Sequence, residues 1–144
     1  MDQSSKAIVA ALSAGLVVAG CAWKIPVVIA QASGWAALSA RYASDASMEE
    51  RIYSWQTARF GKVALYRCCL WVSISPRGVM LRTFHFLKRS HPPLCIPWSD
   101  IRRTSGSTLA QVRDGFELGG SDGFGFFPLN PEIVVEAVRQ GYVR

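Results

Sequence analysis

The chain has almost no acid where it has most base. Between Arg51 and Arg103, ten lysines and arginines stand against a single carboxylate, Asp100, a net of +9. From Thr104 to Arg144, three basic residues stand against five acidic, a net of −2. Over all 144 residues, 16 Lys and Arg against 10 Asp and Glu leave +6. Such an imbalance implies a polarised surface of the kind that meets headgroups, an acidic protein or a nucleic acid, on a chain long enough for one modest domain.

A cysteine framework is also lacking. Cys21, Cys68, Cys69 and Cys95 show no C-x-x-C spacing, which excludes a disulfide scaffold and the common zinc and redox motifs, and buried reduced thiols are expected. There is no P-loop, no H-E-x-x-H and no G-x-S-x-G, and "GFGFFPL" lacks the third glycine of a dinucleotide fingerprint. Histidine is limited to His85 and His91. His85, on the strand face of Leu81 and Thr83, reads as a core or edge histidine with a satisfied hydrogen bond. Cys95 with His91 could form a nucleophile and base, but a four-residue spacing across two prolines does not orient one on the other, and Cys95 between Leu94 and Ile96 reads as a buried small hydrophobe. The expectation is therefore a non-enzyme with no catalytic residue, no metal and no cofactor. A small hydrolase using Cys95 and His91 is kept as an alternative.

What is present begins with an apolar run. Ala7 to Trp23 is 17 residues without a charge, and apolar character resumes after Lys24 as "IPVVIA". At about 1.5 Å per residue the run is about 26 Å long, just short of a bilayer's hydrocarbon core, with Lys24 able to snorkel. Residues 1–32 read as one membrane span that Pro26 kinks or ends. Residues 33–50 read as an interfacial helix and linker, with Ser33 as N-cap and Trp35, Leu38 and Tyr42 on one face. The excess of Lys and Arg after the span places the following domain in the cytoplasm. "VVAGC" ending at Cys21 supports an alternative, a lipoprotein of the cell envelope cleaved before a lipidated Cys21; the weakly basic "MDQSSK" and the apolar stretch beyond Cys21 weigh against it.

From about Arg51 the period shortens to two and β-branched and aromatic residues dominate, so residues 51–144 read as short antiparallel strands. In "LYRCCLWVSISPRGVMLRTFHFL" a loop from Ser75 to Gly78 pairs Ile74 with Val79, Val72 with Leu81 and Leu70 with Thr83, giving one apolar face. Trp71 then opposes Arg82, with a cation–π contact expected, and Cys69 opposes Phe84. "LCIPW" reads as an edge strand, because proline lacks a ladder donor, and "SDI" as a turn in which Ser99 or Asp100 bonds local backbone. Further hairpins are expected about Asp114-Gly115 and Asp122-Gly123. "NPEIVVEAVRQG" has Asn130 as N-cap, Pro131 at the first helical position, Ile133, Val134, Ala137 and Val138 as an apolar stripe, and Gly141 as the stop.

This order, with Gly78, Val79, Leu81, Ile96, Pro97, Trp98, Asp100 and Ile101 in a "gl.l" strand followed by "ip..dI", resembles the bacterial PH-like domains of small membrane-anchored proteins. The resemblance covers roughly Arg51 to Tyr142. It implies an α+β chain: an N-terminal membrane helix, then an antiparallel β half-barrel or roll capped by a C-terminal α-helix. The chain lacks a clear copy of the paired basic positions by which some eukaryotic PH domains grip phosphoinositides, so inositol-lipid specificity does not carry over. The function expected is a binding or scaffolding module, with Arg77, Lys88, Arg89, Arg102 and Arg103 contacting anionic lipid headgroups or an acidic protein partner. Nucleic acid is not expected, because only Trp71 with Arg82 and Phe86 with Lys88 interleave aromatics and cations.

Overall fold

The computed structural model describes residues 24–48, 51–60, 64–108, 111–120 and 124–143. The body of the expected span, Ala7 to Trp23, lies outside them. Among the described residues no helix is long and apolar enough to cross a membrane. Residues 24–32 are helical (α1), so Pro26 does not end a helix but stands in the first described turn of one.

The sheet arises where the two-residue period begins. Its strands are β1 (Arg51–Phe60), β2 (Ala64–Ser75), β3 (Gly78–Arg82), β4 (Leu94–Pro97), β5 (Ile101–Thr108), β6 (Gln111–Leu118) and β7 (Phe124–Pro128), all antiparallel, in the order β4-β3-β2-β1-β7-β6-β5. The two edge strands, β4 and β5, are consecutive in the chain and joined by a single 3-10 turn, Trp98–Asp100. A flat sheet would hold its edges about 29 Å apart at about 4.8 Å per strand, and three residues of 3-10 helix span about 6 Å. The sheet must therefore curl, and it forms a half-barrel. With helices α2 (Trp35–Tyr42) and α3 (Glu132–Arg139) the chain is α+β.

The expected β2–β3 register is present: Ile74 faces Val79, Val72 faces Leu81, and Ser75 faces Gly78. Gly78 takes φ 153°, and a Cβ there would lie 1.9 Å from the Ile96 carbonyl oxygen, so both backbone angle and strand spacing require glycine. β3 ends at Arg82, however, and its pairing with β2 stops at Trp71 opposite Arg82, so neither Leu70 with Thr83 nor Cys69 with Phe84 forms. Trp71 does oppose Arg82, but its ring contacts Trp55 and Phe84. The cation–π contacts among the described residues are Arg41 over Tyr42 and Arg59 over Phe127. His85 has left the strand for an exposed 3-10 turn, His85–Leu87.

β4 is an edge strand as expected. Asp100 does not bond local backbone through its side chain: its carboxylate accepts the Tyr42 hydroxyl at 2.6 Å and lies 3.7 Å from Arg41. Asp114 and Gly115 are not a turn, because β5 and β6 stay paired from Ile101 opposite Leu118 out to Thr108 opposite Gln111. β6 and β7 do pair antiparallel, with Leu118 facing Phe124, while Asp122-Gly123 lies outside the described residues.

The apolar face of α2 forms as expected but is spent on the sheet. Trp35, at 0% exposure, packs on Phe60, Tyr66 and His91, and its indole donates to the Pro92 carbonyl at 3.0 Å. Leu38 and Tyr42 join the same core, so this face is not available to lie in a headgroup layer. Gly34, at φ 84°, is the cap, and Ser33 is buried behind it, its hydroxyl accepting the Trp35 amide at 3.3 Å. At the other end Ile133, Val134 and Ala137 of α3 close the core, while Val138 is 37% exposed and falls outside the expected stripe. Asn130 Oδ1 accepts the Glu132 amide at 3.0 Å. Gly141, at φ 72°, donates to the Val138 carbonyl while Tyr142 donates to that of Ala137, the paired bonds of a Schellman stop.

Candidate functional site

β1 carries the feature that distinguishes one end of the sheet. Tyr53 and Ala58, five residues apart, both face the core, which a regular strand forbids. Register shifts on both sides of Gln56 reset the alternation, with Trp55 at φ 56° and Cys68 across from it at φ 48°. The Thr57 hydroxyl accepts the Cys68 amide at 3.0 Å and holds the distortion. Bulges re-aim side chains, and a bulky residue at positive φ is a costly exception, of the order of 1–3 kcal/mol. What that strain presents is the Trp55 indole, 60% exposed.

Around it lies a surface of four rings. Trp55 meets Trp71 at 5.0 Å and Phe84 at 5.8 Å, Trp71 meets Phe84 at 5.4 Å, and Phe84 stacks on Phe86 at 5.3 Å. Phe86 is 79% exposed. Cations follow the same chain segment: Arg82 opposite Trp71, then Lys88 and Arg89 just beyond the His85–Leu87 turn. A shallow groove of about 740 Å³ is lined by Ile52, Trp71, Arg82, Thr83, Phe84 and His85 among others. Beside it, a narrower cleft of about 350 Å³ is lined by Asp45, Arg82, Thr83, His85, Lys88, His91 and Pro93.

The five cations expected to form one surface fall into two groups. Lys88 and Arg89 stand at the end of β3 where Leu81 faces Leu94, beside the aromatic surface. Arg77 stands in the turn at the other end of β3, about 14 Å away along the strand. Arg102 and Arg103 follow the Trp98–Asp100 turn, which starts from Pro97 opposite Gly78, and so belong to Arg77's end. Lys88 is ion-paired with Asp45 at 2.9 Å, and Arg103 with Asp114 at 2.7 Å. Arg102 lies opposite Glu117 in register. The hydrogen bond from Lys88 holds the Asp45 carboxyl below its ordinary pKa.

Sequence reasoning missed Trp55. A signal existed in "YSWQTARF", where strict alternation cannot keep Tyr53 and Phe60 on one face, so a phase break near Trp55 was implied. His91 and Cys95 are not brought together as base and nucleophile. His91 is buried with Nε2 2.8 Å from the Tyr66 hydroxyl and Nδ1 2.9 Å from the Ser90 hydroxyl, so neither ring nitrogen is left for Cys95. Cys95 is half-buried on the face of β4 opposite Leu94 and Ile96. Among the described residues no three His, Cys, Asp or Glu side chains are grouped to hold a metal ion.

Compared with protein-family models, with curated proteins and with solved structures, the chain matches none.

Proposed function

We propose that this protein is a non-enzymatic, membrane-anchored binding module of PH-like architecture, whose aromatic and cationic surface rests on anionic lipid headgroups. The observation that carries the reading is the exposure of Trp55 and Phe86, at 60% and 79%, beside Arg82, Lys88 and Arg89. Tryptophan and phenylalanine partition into the headgroup and acyl boundary, and each cation near an anionic surface adds about 1 kcal/mol. Strand order supports the PH-like part: a seven-stranded curled sheet followed by one closing helix is the arrangement that the resemblance implies. Helix α1 supports the anchor over lipidation at Cys21, since Ile25, Val27, Val28 and Ile29 stay apolar and exposed beyond that cysteine. The resemblance makes this a bacterial protein of the inner (plasma) membrane, and the charge asymmetry puts its sheet on the cytoplasmic side.

The test uses the full chain in zwitterionic nanodiscs and separate vesicles containing phosphatidylglycerol. Binding is expected to weaken with salt, and about a hundredfold when Arg82, Lys88 and Arg89 are all changed to Gln. Equal binding to phosphatidylcholine vesicles contradicts the reading, as does binding that the triple change leaves intact.

A further inference from the structure

The narrower cleft beside the aromatic surface is lined by a group that no described residue satisfies. Thr83 is 4% exposed, and its hydroxyl is buried with no hydrogen-bond partner among the described residues. It lines both the groove and the cleft, sharing both with Arg82 and the cleft with Lys88. An orphaned hydroxyl next to two cations is what an anion site looks like before its anion arrives: a guanidinium fork, an ammonium and a neutral donor, each suited to a different oxygen of one phosphate. His91 also lines the cleft, but both its nitrogens are committed.

One anion is already there. Asp45 places its carboxylate 2.9 Å from Lys88 Nζ, yet its side chain is 82% exposed. The segment that carries it is fastened to the sheet just before the carboxylate: Ala43 bridges Leu94, and the Ser44 amide donates to the Pro93 carbonyl at 2.9 Å, while residues 45–48 belong to no helix or strand and the Ala46 amide bonds only locally, to the Ser44 hydroxyl at 3.2 Å. The carboxylate can therefore swing away without disturbing the sheet. With it in place the two cations are half neutralised; without it they offer two full charges to a ligand.

We propose that the cleft between Arg82, Thr83 and Lys88 is a site for a phosphomonoester group, and that the Asp45 carboxylate is its built-in competitor. This deepens the membrane-surface reading on which it rests by naming the headgroup chemistry. A phosphomonoester has three terminal oxygens for the three donors, which a phosphodiester or a carboxylate does not.

Titration calorimetry of the full chain in a neutral maltoside detergent tests it, with inorganic phosphate, short-chain phosphatidic acid and short-chain phosphatidylcholine as probes. Phosphate and phosphatidic acid are expected to bind and phosphatidylcholine not to. Lys88→Gln weakens both about tenfold or more, and Asp45→Asn strengthens both about threefold or more. Thr83→Val weakens both while raising the melting temperature of the ligand-free chain, because the orphaned hydroxyl is gone. Phosphatidic acid binding without phosphate binding assigns the effect to the lipid surface and overturns the cleft. Phosphate binding indifferent to Lys88→Gln and Asp45→Asn is an adventitious ion only and overturns it equally. Failure of the surface reading looks different: phosphate still binds as expected, but anionic vesicles do not.

Discussion

At His91 both ring nitrogens are spent inside the fold. Nδ1 lies 2.9 Å from the Ser90 hydroxyl and Nε2 2.8 Å from the Tyr66 hydroxyl, and a neutral ring can donate to one and accept from the other. Burial pushes His91 down to about 4 and the Tyr66 hydroxyl up to about 12. An unfolded histidine titrates near 6.5, so as pH falls from about 6.5 to about 4 the unfolded chain takes a proton that the native one refuses. Stability is full above that window and falls within it, by about 3 kcal/mol in all. Urea midpoints read between pH 7 and 5, above most carboxylate titration, are expected to decline for the native chain and to stay level for His91→Gln. An equal slope in both contradicts the assignment. The two histidines also mark a limit of reading residues from sequence. Alternation carried His85 inward with Leu81 and Thr83, but β4 is only four residues long, so β3 loses its partner and the chain turns before His85. The buried histidine is the one beside the prolines, where Pro92 takes the Trp35 indole and fixes the ring underneath it.

Among the elements, the β2–β3 hairpin was legible because one apolar face admits one register, and β4 because two prolines suit an edge. The β5–β6 pair was misread at Asp114-Gly115 because its glycine serves packing rather than turning. A Cβ on Gly106, Gly115 or Gly125 would lie 2.4–2.6 Å from its nearest neighbour, with the Phe127 ring in the way at each, so these residues form a trough for that ring, with the Arg59 guanidinium over it at 5.1 Å. Nothing in a dipeptide separates a turn glycine from one that admits a ring. Two of the glycines that do set backbone angles, Gly78 and Gly141, differ in a measurable way. Gly78→Ala adds a collision with Ile96 to the cost of positive φ, whereas a Cβ on Gly141 meets nothing within 4 Å. Gly141→Ala is expected to cost about 1 kcal/mol in urea unfolding, and Gly78→Ala at least twice that. Equal losses contradict the close approach of β3 to β4.

Across the whole molecule, charge counting located the basic segments but not what they face. Antiparallel pairing brings the acids of β6 against Arg102 and Arg103, and the Asp45 segment against Lys88, so the +9 of the middle segment is partly answered within the fold. The curl then separates Arg77, Arg102 and Arg103 from Lys88 and Arg89, a division that depends on strand order and is invisible along the chain. Only the second group adjoins exposed rings, and the most exposed indole among them owes its position to a bulge that composition does not announce. On the proposed function, this end of the half-barrel touches anionic lipid through Trp55. Tryptophan quenching by brominated phosphatidylglycerol, with the full chain reconstituted in bilayers, tests it most directly. The native chain is expected to be quenched more than Trp55→Phe, with the excess vanishing when the brominated lipid is phosphatidylcholine in an otherwise zwitterionic bilayer; identical quenching of the two chains in the anionic bilayer would contradict the account.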